Sequence, residues 1–202
     1  MITLYRRRKL LRPFRTVAYR QSGDSLQGAD LAGHILTEVE IVRTNMRNAT
    51  LDRADASGSR FQSVALSSSS FSHTVLRSAF FEHCEMDRCV FDNSDMTMIE
   101  VIDCSLCACS FGNARLPGIR FRDSDLSDSS FRSSDFTSTK GISYFIRCNL
   151  RGARFQGSRF MFYEFLECDL RDVDFSTANF VVGLNRQHYI DCVIDSSTSW
   201  PT

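Results

Sequence analysis

The sequence predicts an all-β solenoid made of stacked four-sided coils, and three observations carry that prediction. A large apolar residue returns every five positions from Phe61 to Phe136, a small or slim one stands two positions before each, and the remaining positions are mostly polar. The unbroken run is Phe61, Leu66, Phe71, Leu76, Phe81, Met86, Phe91, Met96, Val101, Leu106, Phe111, Leu116, Phe121, Leu126, Phe131 and Phe136. A period of five fits neither the 3.6 of a helix nor the 2 of a flat strand. Within each five, the apolar centre and the slim residue two before it share one side of an extended segment and both point inward. The other residues must turn a corner. Four such sides close a coil of twenty residues, and coils stack at roughly 4.8 Å, the spacing of hydrogen-bonded strands.

The elements follow in chain order. Residues 1–23 form a basic arm: Arg6, Arg7, Arg8, Lys9, Arg12, Arg15 and Arg20 come with no acid before residue 21, which leaves 17 basic and 24 acidic side chains in the rest of a chain of formal net charge +0. The arm is expected to cap the open end of the solenoid, since terminal coils need covering. Arg6 to Lys9 could instead meet nucleic acid or anionic lipid, or serve as an address for a secreted effector or otherwise targeted protein. No apolar run reaches the ~20 residues of a membrane span, and Arg12-Pro13 directly after Leu10-Leu11 argues against a secretory signal.

The repeat begins at Asp24, with centres Leu26, Leu31, Leu36, Ile41, Met46, Leu51 and Ala56. His34 in a slim position and Ala56 in a large one predict local distortion there. Phe alternates with Leu or Met along the strong run, which places Phe on two opposite faces of the coil. The centre after Phe136 is Phe145, nine residues on, and Phe recurs at 155, 165 and 175. A four-residue insertion near 137–141 keeps the Phe columns unbroken, whereas two sides with one deleted residue would shift them. The β-helix is expected over 24–182, with 31 sides, about 7.75 coils and roughly 37 Å of length. The register is lost after Val182, and 183–202 is expected to be a C-terminal cap in which Tyr189, Ile190, Val193, Ile194 and Trp200 cover the last coil.

Ala29-Asp30-Leu31, Ser124-Asp125-Leu126, Cys148-Asn149-Leu150, Cys168-Asp169-Leu170 and Ala178-Asn179-Phe180 resemble the pentapeptide-repeat family, whose repeat is A-(D/N)-L-x-x. The resemblance covers residues 24–182 and implies a right-handed quadrilateral β-helix. It also implies one candidate function, because some members act as DNA mimics that bind bacterial type II topoisomerase (gyrase) and protect from quinolones.

The residues with chemical potential mostly take structural places in this register. Cys84, Cys89, Cys104, Cys109, Cys148 and Cys168 fall at inward slim positions, where Cys is a compact hydrophobe. Cys107 points outward while Cys104 points inward, so the Cys104-x-x-Cys107 spacing does not make a zinc site. Free thiols in a reducing compartment, the cytoplasm, are expected. His73 and His83 each follow a centre by two and lie on opposite faces. No catalytic triad, phosphate loop, metal set or cofactor motif can be assembled, so a non-enzymatic, monomeric solenoid with a macromolecular, most simply protein, partner is expected.

Two surfaces are candidates for that partner. One is an acidic face formed by Glu85, Asp125 and Asp169 in one outward column, with Asp123, Asp128 and Asp172 nearby; arginines at 115, 120, 122, 147, 151, 154 and 159 interrupt it. The other is an apolar stripe of Ile142, Met161, Phe162, Val181 and Val182 beside the insertion. The stripe is either covered by 183–202, with Tyr189 or Trp200 packed on it, or used for docking with Phe162 as the aromatic anchor.

Overall fold

The computed structural model describes residues 5–6, 25–139, 141–183 and 186–201. The chain winds as a right-handed, four-sided parallel β-solenoid of about seven turns. Its faces, in chain order, carry the centres Leu26 (face 1), Leu31 (face 2), Leu36 (face 3) and Ile41 (face 4), and in the coils before Phe136 each centre is followed twenty residues later by the one stacked on it. Parallel bridges such as Asn45↔Ala65↔Glu85↔Ser105↔Asp125 tie the coils together on face 1.

Face 4 holds a nine-stranded sheet of β1 (Tyr5–Arg6), β2 (Val39–Val42), β3 (Arg60–Gln62), β4 (Phe80–Glu82), β5 (Glu100–Ile102), β6 (Arg120–Arg122), β8 (Ser143–Ile146), β10 (Tyr163–Leu166) and β12 (Tyr189–Ile190). On face 3, β7 (Asp135–Phe136), β9 (Arg159–Phe160) and β11 (Asn179–Phe180) form a three-stranded sheet. Among the described residues all pairings are parallel except that of β1, which lies antiparallel on β2 with Tyr5 opposite Glu40 and Arg6 opposite Val39. A strand laid there occupies an otherwise open sheet edge.

Each position of the five has a physical reason. The centres are buried, and their rings stack up the solenoid: Phe61 on Phe81 at 4.5 Å, and Phe71 on Phe91 at 4.9 Å. Phe61 and Phe71 meet edge to face across the core at 6.4 Å. The slim inward residue satisfies a carbonyl of the coil below: Ser69 Oγ donates to Met46 O at 2.7 Å, Thr74 Oγ1 to Leu51 O at 2.7 Å and Cys109 Sγ to Met86 O at 3.0 Å. Buried acceptors need such partners, which is why Ser, Thr and Cys share this column. The Asp or Asn before the centre folds back on its own turn, as where Asp125 Oδ1 accepts from Ser127 N at 2.9 Å, the local bond these side chains favour. An Asp just after a centre reaches the next coil instead; Asp92 Oδ1 accepts Ser110 Oγ at 2.6 Å and Gly112 N at 2.7 Å.

The corner residue, two after the centre, is left-handed. Among the described residues, every non-glycine with positive φ, between 50° and 64°, occupies this position. Asn, Asp and Gly tolerate that region best. His73 (φ 59°) and His83 (φ 53°) are therefore corner residues.

The offset between stacked residues rises from 20 to 24 across the segment after Phe136: Arg115 bridges Asp135, but Phe121 pairs with Phe145 and Phe136 with Phe160. The Phe columns continue, with Phe121 on Phe145 at 5.5 Å and Phe131 on Phe155 at 4.7 Å. Phe is not confined to two faces. On face 3 it takes Phe136, Phe160 and Phe180, and these rings meet the other columns at tilted angles, as where Phe136 meets Phe145 at 57°.

Two further expectations are corrected. His34 is exposed rather than inward, while Ala56 is buried; a slim inward slot has no room for imidazole, and the ring instead lies near Ala32 O, with Nδ1 at 3.1 Å. The register also does not end at Val182. After a second lengthened connection Tyr189 pairs over Phe165, Val193 bridges Asp169, and Trp200 stacks on Phe175 at 5.1 Å. Tyr189 and Trp200 thus close the last coil, whereas Ile190, Val193 and Ile194 are exposed. Resumed alternation turns Ile190 and Val193 outward.

Candidate functional site

The corner between faces 3 and 4 departs from the rest of the solenoid. In the lower coils it is a tight left-handed turn, and at Pro117-Gly118 (φ +66°) it has the Pro-then-Gly order that suits such a turn. Met98 takes the same corner one coil below, and its Sδ would lie 2.5 Å from a Cβ added at Gly118. Above Phe136 the corner is reshaped. Residues 137–139 and 141–142 depart from that turn: Asp135 Oδ1 accepts from Thr137 N at 2.9 Å and Oγ1 at 2.6 Å, and Gly118 N donates to Ser143 Oγ at 3.1 Å. Pro117 and Gly118 are buried at this corner.

One coil higher, Phe162 occupies the corner without a positive φ, so a bulky ring sits there without the left-handed cost. Its carbonyl accepts from Ser143 N at 2.9 Å, and Val181 N donates to Phe160 O at 2.8 Å, which stacks Phe162 over Ile142 and Val181 over Met161. The edge is uncovered: Ile142 is 37% exposed, Phe162 44%, Val181 48% and Val182 45%, with Met161 half-buried and Met98 at 46% extending the row downward. Tyr189 and Trp200, the tail residues that could have covered it, are spent on the end of the solenoid, Trp200 lying 5.3 Å from Tyr189 and on Phe175. A groove of about 500 Å³ opens beside the insertion, lined by Thr97, Met98, Arg115, Pro117, Thr137, Ser138, Thr139 and Met161. The sequence reading named the five upper residues of the row but not Met98, Pro117 or Arg115 beside the groove. A lone Met at a corner position was the available signal for Met98.

The acidic face is assembled as a column, since Glu85, Ser105, Asp125, Asn149 and Asp169 stack in successive coils. Its charge is largely answered locally. Glu85 pairs with Arg47, Asp123 with Arg147 Nε at 2.6 Å, Asp172 with Arg151 at 3.1 Å, and Asp169 with Arg171 Nε at 2.9 Å. The hydrogen bond from Arg147 holds the Asp123 carboxyl below its usual range, and that from Arg171 does the same for Asp169. Asp125 accepts from Asn149 Nδ2 at 3.0 Å, and Asp128 lies against Gly152. Of the basic arm, Arg6 is placed by its backbone pairing with Val39; Arg7, Arg8 and Lys9 lie outside the described residues.

The eight cysteines are free. The six inward ones are buried, and burial pushes the Cys89 thiol up to about 12 and the Cys109 thiol well above its ordinary value. Cys192, which the sequence reading left unplaced, continues the Cys148–Cys168 column: its Sγ reaches Phe165 O at 3.4 Å, and the hydrogen bond with Cys168 raises its pKa. The extra residues before Tyr189 hid that register. Among the described residues no group of three His, Cys, Asp or Glu side chains could hold a metal ion, and no helix is long and apolar enough to cross a membrane.

Coils of this size with these corners define a class, the pentapeptide-repeat solenoids. The pattern described as pentapeptide repeats matches residues 25–64, 104–140 and 143–181 in eight copies, more than half of the chain, so the chain belongs to the pentapeptide-repeat family. Curated proteins gave no match. Among solved structures, a trypsin-treated variant of QnrB1, a plasmid-mediated fluoroquinolone resistance protein, is similar with a TM-score of 0.52 and 20% identity over 83% of this chain and 90% of that one. HetL, a pentapeptide-repeat protein involved in heterocyst differentiation regulation from Nostoc sp. strain PCC 7120, gives a TM-score of 0.28 and 14% identity over 82% of this chain and 88% of that one.

Proposed function

We propose that the chain is a non-enzymatic interaction module of the cytoplasm that acts as a monomer and docks a protein partner along Ile142, Met161, Phe162, Val181 and Val182. One observation carries the reading: apolar side chains recur at one corner in successive coils and stay exposed, while Tyr189 and Trp200 lie on the end of the solenoid. Elsewhere the corner residues are mostly polar or glycine, so an apolar row has a cost in solubility that a partner would offset. Phe162, the one aromatic side chain in that row, is the natural anchor.

Phe162→Ser tests it. An exposed ring carries little packing, so the melting temperature should stay within about 2 °C of the parent, in line with the small effects of surface substitutions. Capture of partners that the parent chain retains should be lost. A variant that keeps both its stability and all its partners would end this reading. A gyrase-directed role through Glu85, Asp125, Asp169 and their neighbours draws less support, because a DNA mimic needs a continuous negative field and Arg47, Arg147, Arg151 and Arg171 neutralise this one. The expected result in a gyrase supercoiling assay with a quinolone present is no protection; salt-sensitive protection would reverse the ranking.

A further inference from the structure

The groove beside the insertion has a chemistry more specific than the apolar row above it. Its floor is Met98, Pro117 and Met161, and thioethers adapt their shape to varied apolar partners. Its rim is cationic. Arg115 lines it, and Arg159 stands in the same outward column beyond Asp135, two residues before Met161. Arg47, Arg60, Arg77, Arg147, Arg151 and Arg171 each hold a carboxylate, whereas Arg43, Arg53, Arg88, Arg120 and Arg154 hold none among the described residues; what sets Arg115 apart is its place on the groove. Arg115 and Arg159 make no ion pair among the described residues, although both neighbour Asp135 in the ladder; the Oδ1 of that carboxylate is engaged by Thr137. Asp95, below them, is engaged by Arg77 at 2.7 Å and by Thr97.

The shape adds a second constraint. From Met98 to Val182 the corner passes through five coils, four steps of the strand spacing, or about 19 Å. An extended peptide covers that length with about six residues at roughly 3.3 Å each. The groove alone is within the roughly 300–1,000 Å³ of small-ligand pockets, but its continuation into the exposed row favours a longer, chain-like occupant.

We propose that this groove takes an extended acidic–apolar peptide segment of a protein partner, with a carboxylate on the Arg115 guanidinium and apolar side chains against Met98, Pro117 and Met161. Guanidinium binds carboxylate with two parallel donors, so the charge sets which apolar segments are accepted. A lysine-rich segment would meet like charge. A nucleic-acid strand, charged at every nucleotide, would have to place further phosphates beside Asp95 and Asp135, whereas a peptide can present a single carboxylate to Arg115.

This inference rests on the docking reading, and the test separates the two. A random heptapeptide display library is selected on the full chain and, in parallel, on Arg115→Glu; one enriched peptide is then synthesised with a fluorophore and titrated by fluorescence polarisation. Enriched sequences should combine Asp or Glu with Leu, Ile or Phe. Arg115→Glu should weaken the labelled peptide at least about tenfold, the loss expected when a charge-assisted contact becomes repulsive, with the melting temperature unchanged. Met161→Glu should weaken it as well. No enrichment, enrichment of basic sequences, equal binding by Arg115→Glu, or displacement of the peptide by a single-stranded oligonucleotide would each overturn the proposal. If Phe162→Ser abolishes partner capture while Arg115→Glu binds the peptide like the parent, the docking edge stands and the acidic preference falls. If Phe162→Ser changes nothing but Arg115→Glu loses the peptide, the groove stands without the wider edge.

Discussion

Replacing Phe111 by Ala perturbs the middle of the longest aromatic column. The ring is fully buried, stacked on Phe91 at 5.0 Å and on Phe131 at 4.5 Å, and edge-on to Phe121 at 6.3 Å. Removing a core Phe costs about 3–5 kcal/mol. Two things push the value to the upper end. Each lost aromatic pair adds about 0.5–1.5 kcal/mol beyond burial, and the hydrogen-bonded spacing of the coils keeps the walls from closing on the cavity. Outward Arg115→Ala, four residues away, should cost under about 0.5 kcal/mol. Guanidinium chloride melts of both variants against the parent check the contrast. Comparable losses at the two positions would refute the inward–outward assignment. A loss at Phe111 under about 1 kcal/mol would refute the claim that the coils cannot collapse.

The thiols should react in two groups: half-buried Cys107 and Cys192 alkylate in the native state, Cys192 more slowly because Cys168 and burial hold its proton, and Cys84, Cys89, Cys104, Cys109, Cys148 and Cys168 only on unfolding. Timed alkylation read by mass spectrometry decides, and early labelling of the six would be the contrary result. Because the folded-state pKa of Cys89 is raised from 9.0 to about 12, its contribution to stability is fully present below about pH 9 and is lost as pH climbs from there towards 12, as the unfolded chain ionises first. The parent should therefore lose more stability between pH 8 and 11 than Cys89→Ala does; equal slopes would count against it. Deleting residues 137–140 restores a twenty-residue coil, so Phe160 still lands on Phe136 and the protein should remain soluble, melting a few degrees lower as Pro117 becomes exposed. Insoluble protein would show that the insertion is part of the core.

The five-residue period alone determined the coil, its four sides and the inward columns, because a side chain's direction in an extended segment follows from parity, and sixteen consecutive apolar centres fix that parity. Continuity of Phe through residues 145, 155 and 165 likewise located the insertion. Three features needed the tertiary structure. The slim column reads as mere smallness in the sequence, yet Ser69 and Cys109 are there to bond carbonyls twenty-three residues earlier, a partner defined only by stacking. The sequence shows arginines interrupting the acidic face, but only side-chain placement showed which carboxylates they meet, Arg147 on Asp123 and Arg151 on Asp172, because ion pairing depends on which long side chains meet across coils. The tail has no five-residue pattern, so Tyr189 and Trp200 could have been assigned to the stripe or to the end. Stacking on Phe165 and Phe175 decided for the end, because the last coil's aromatic rings offered a larger apolar surface than a corner row, and that choice left Phe162 exposed.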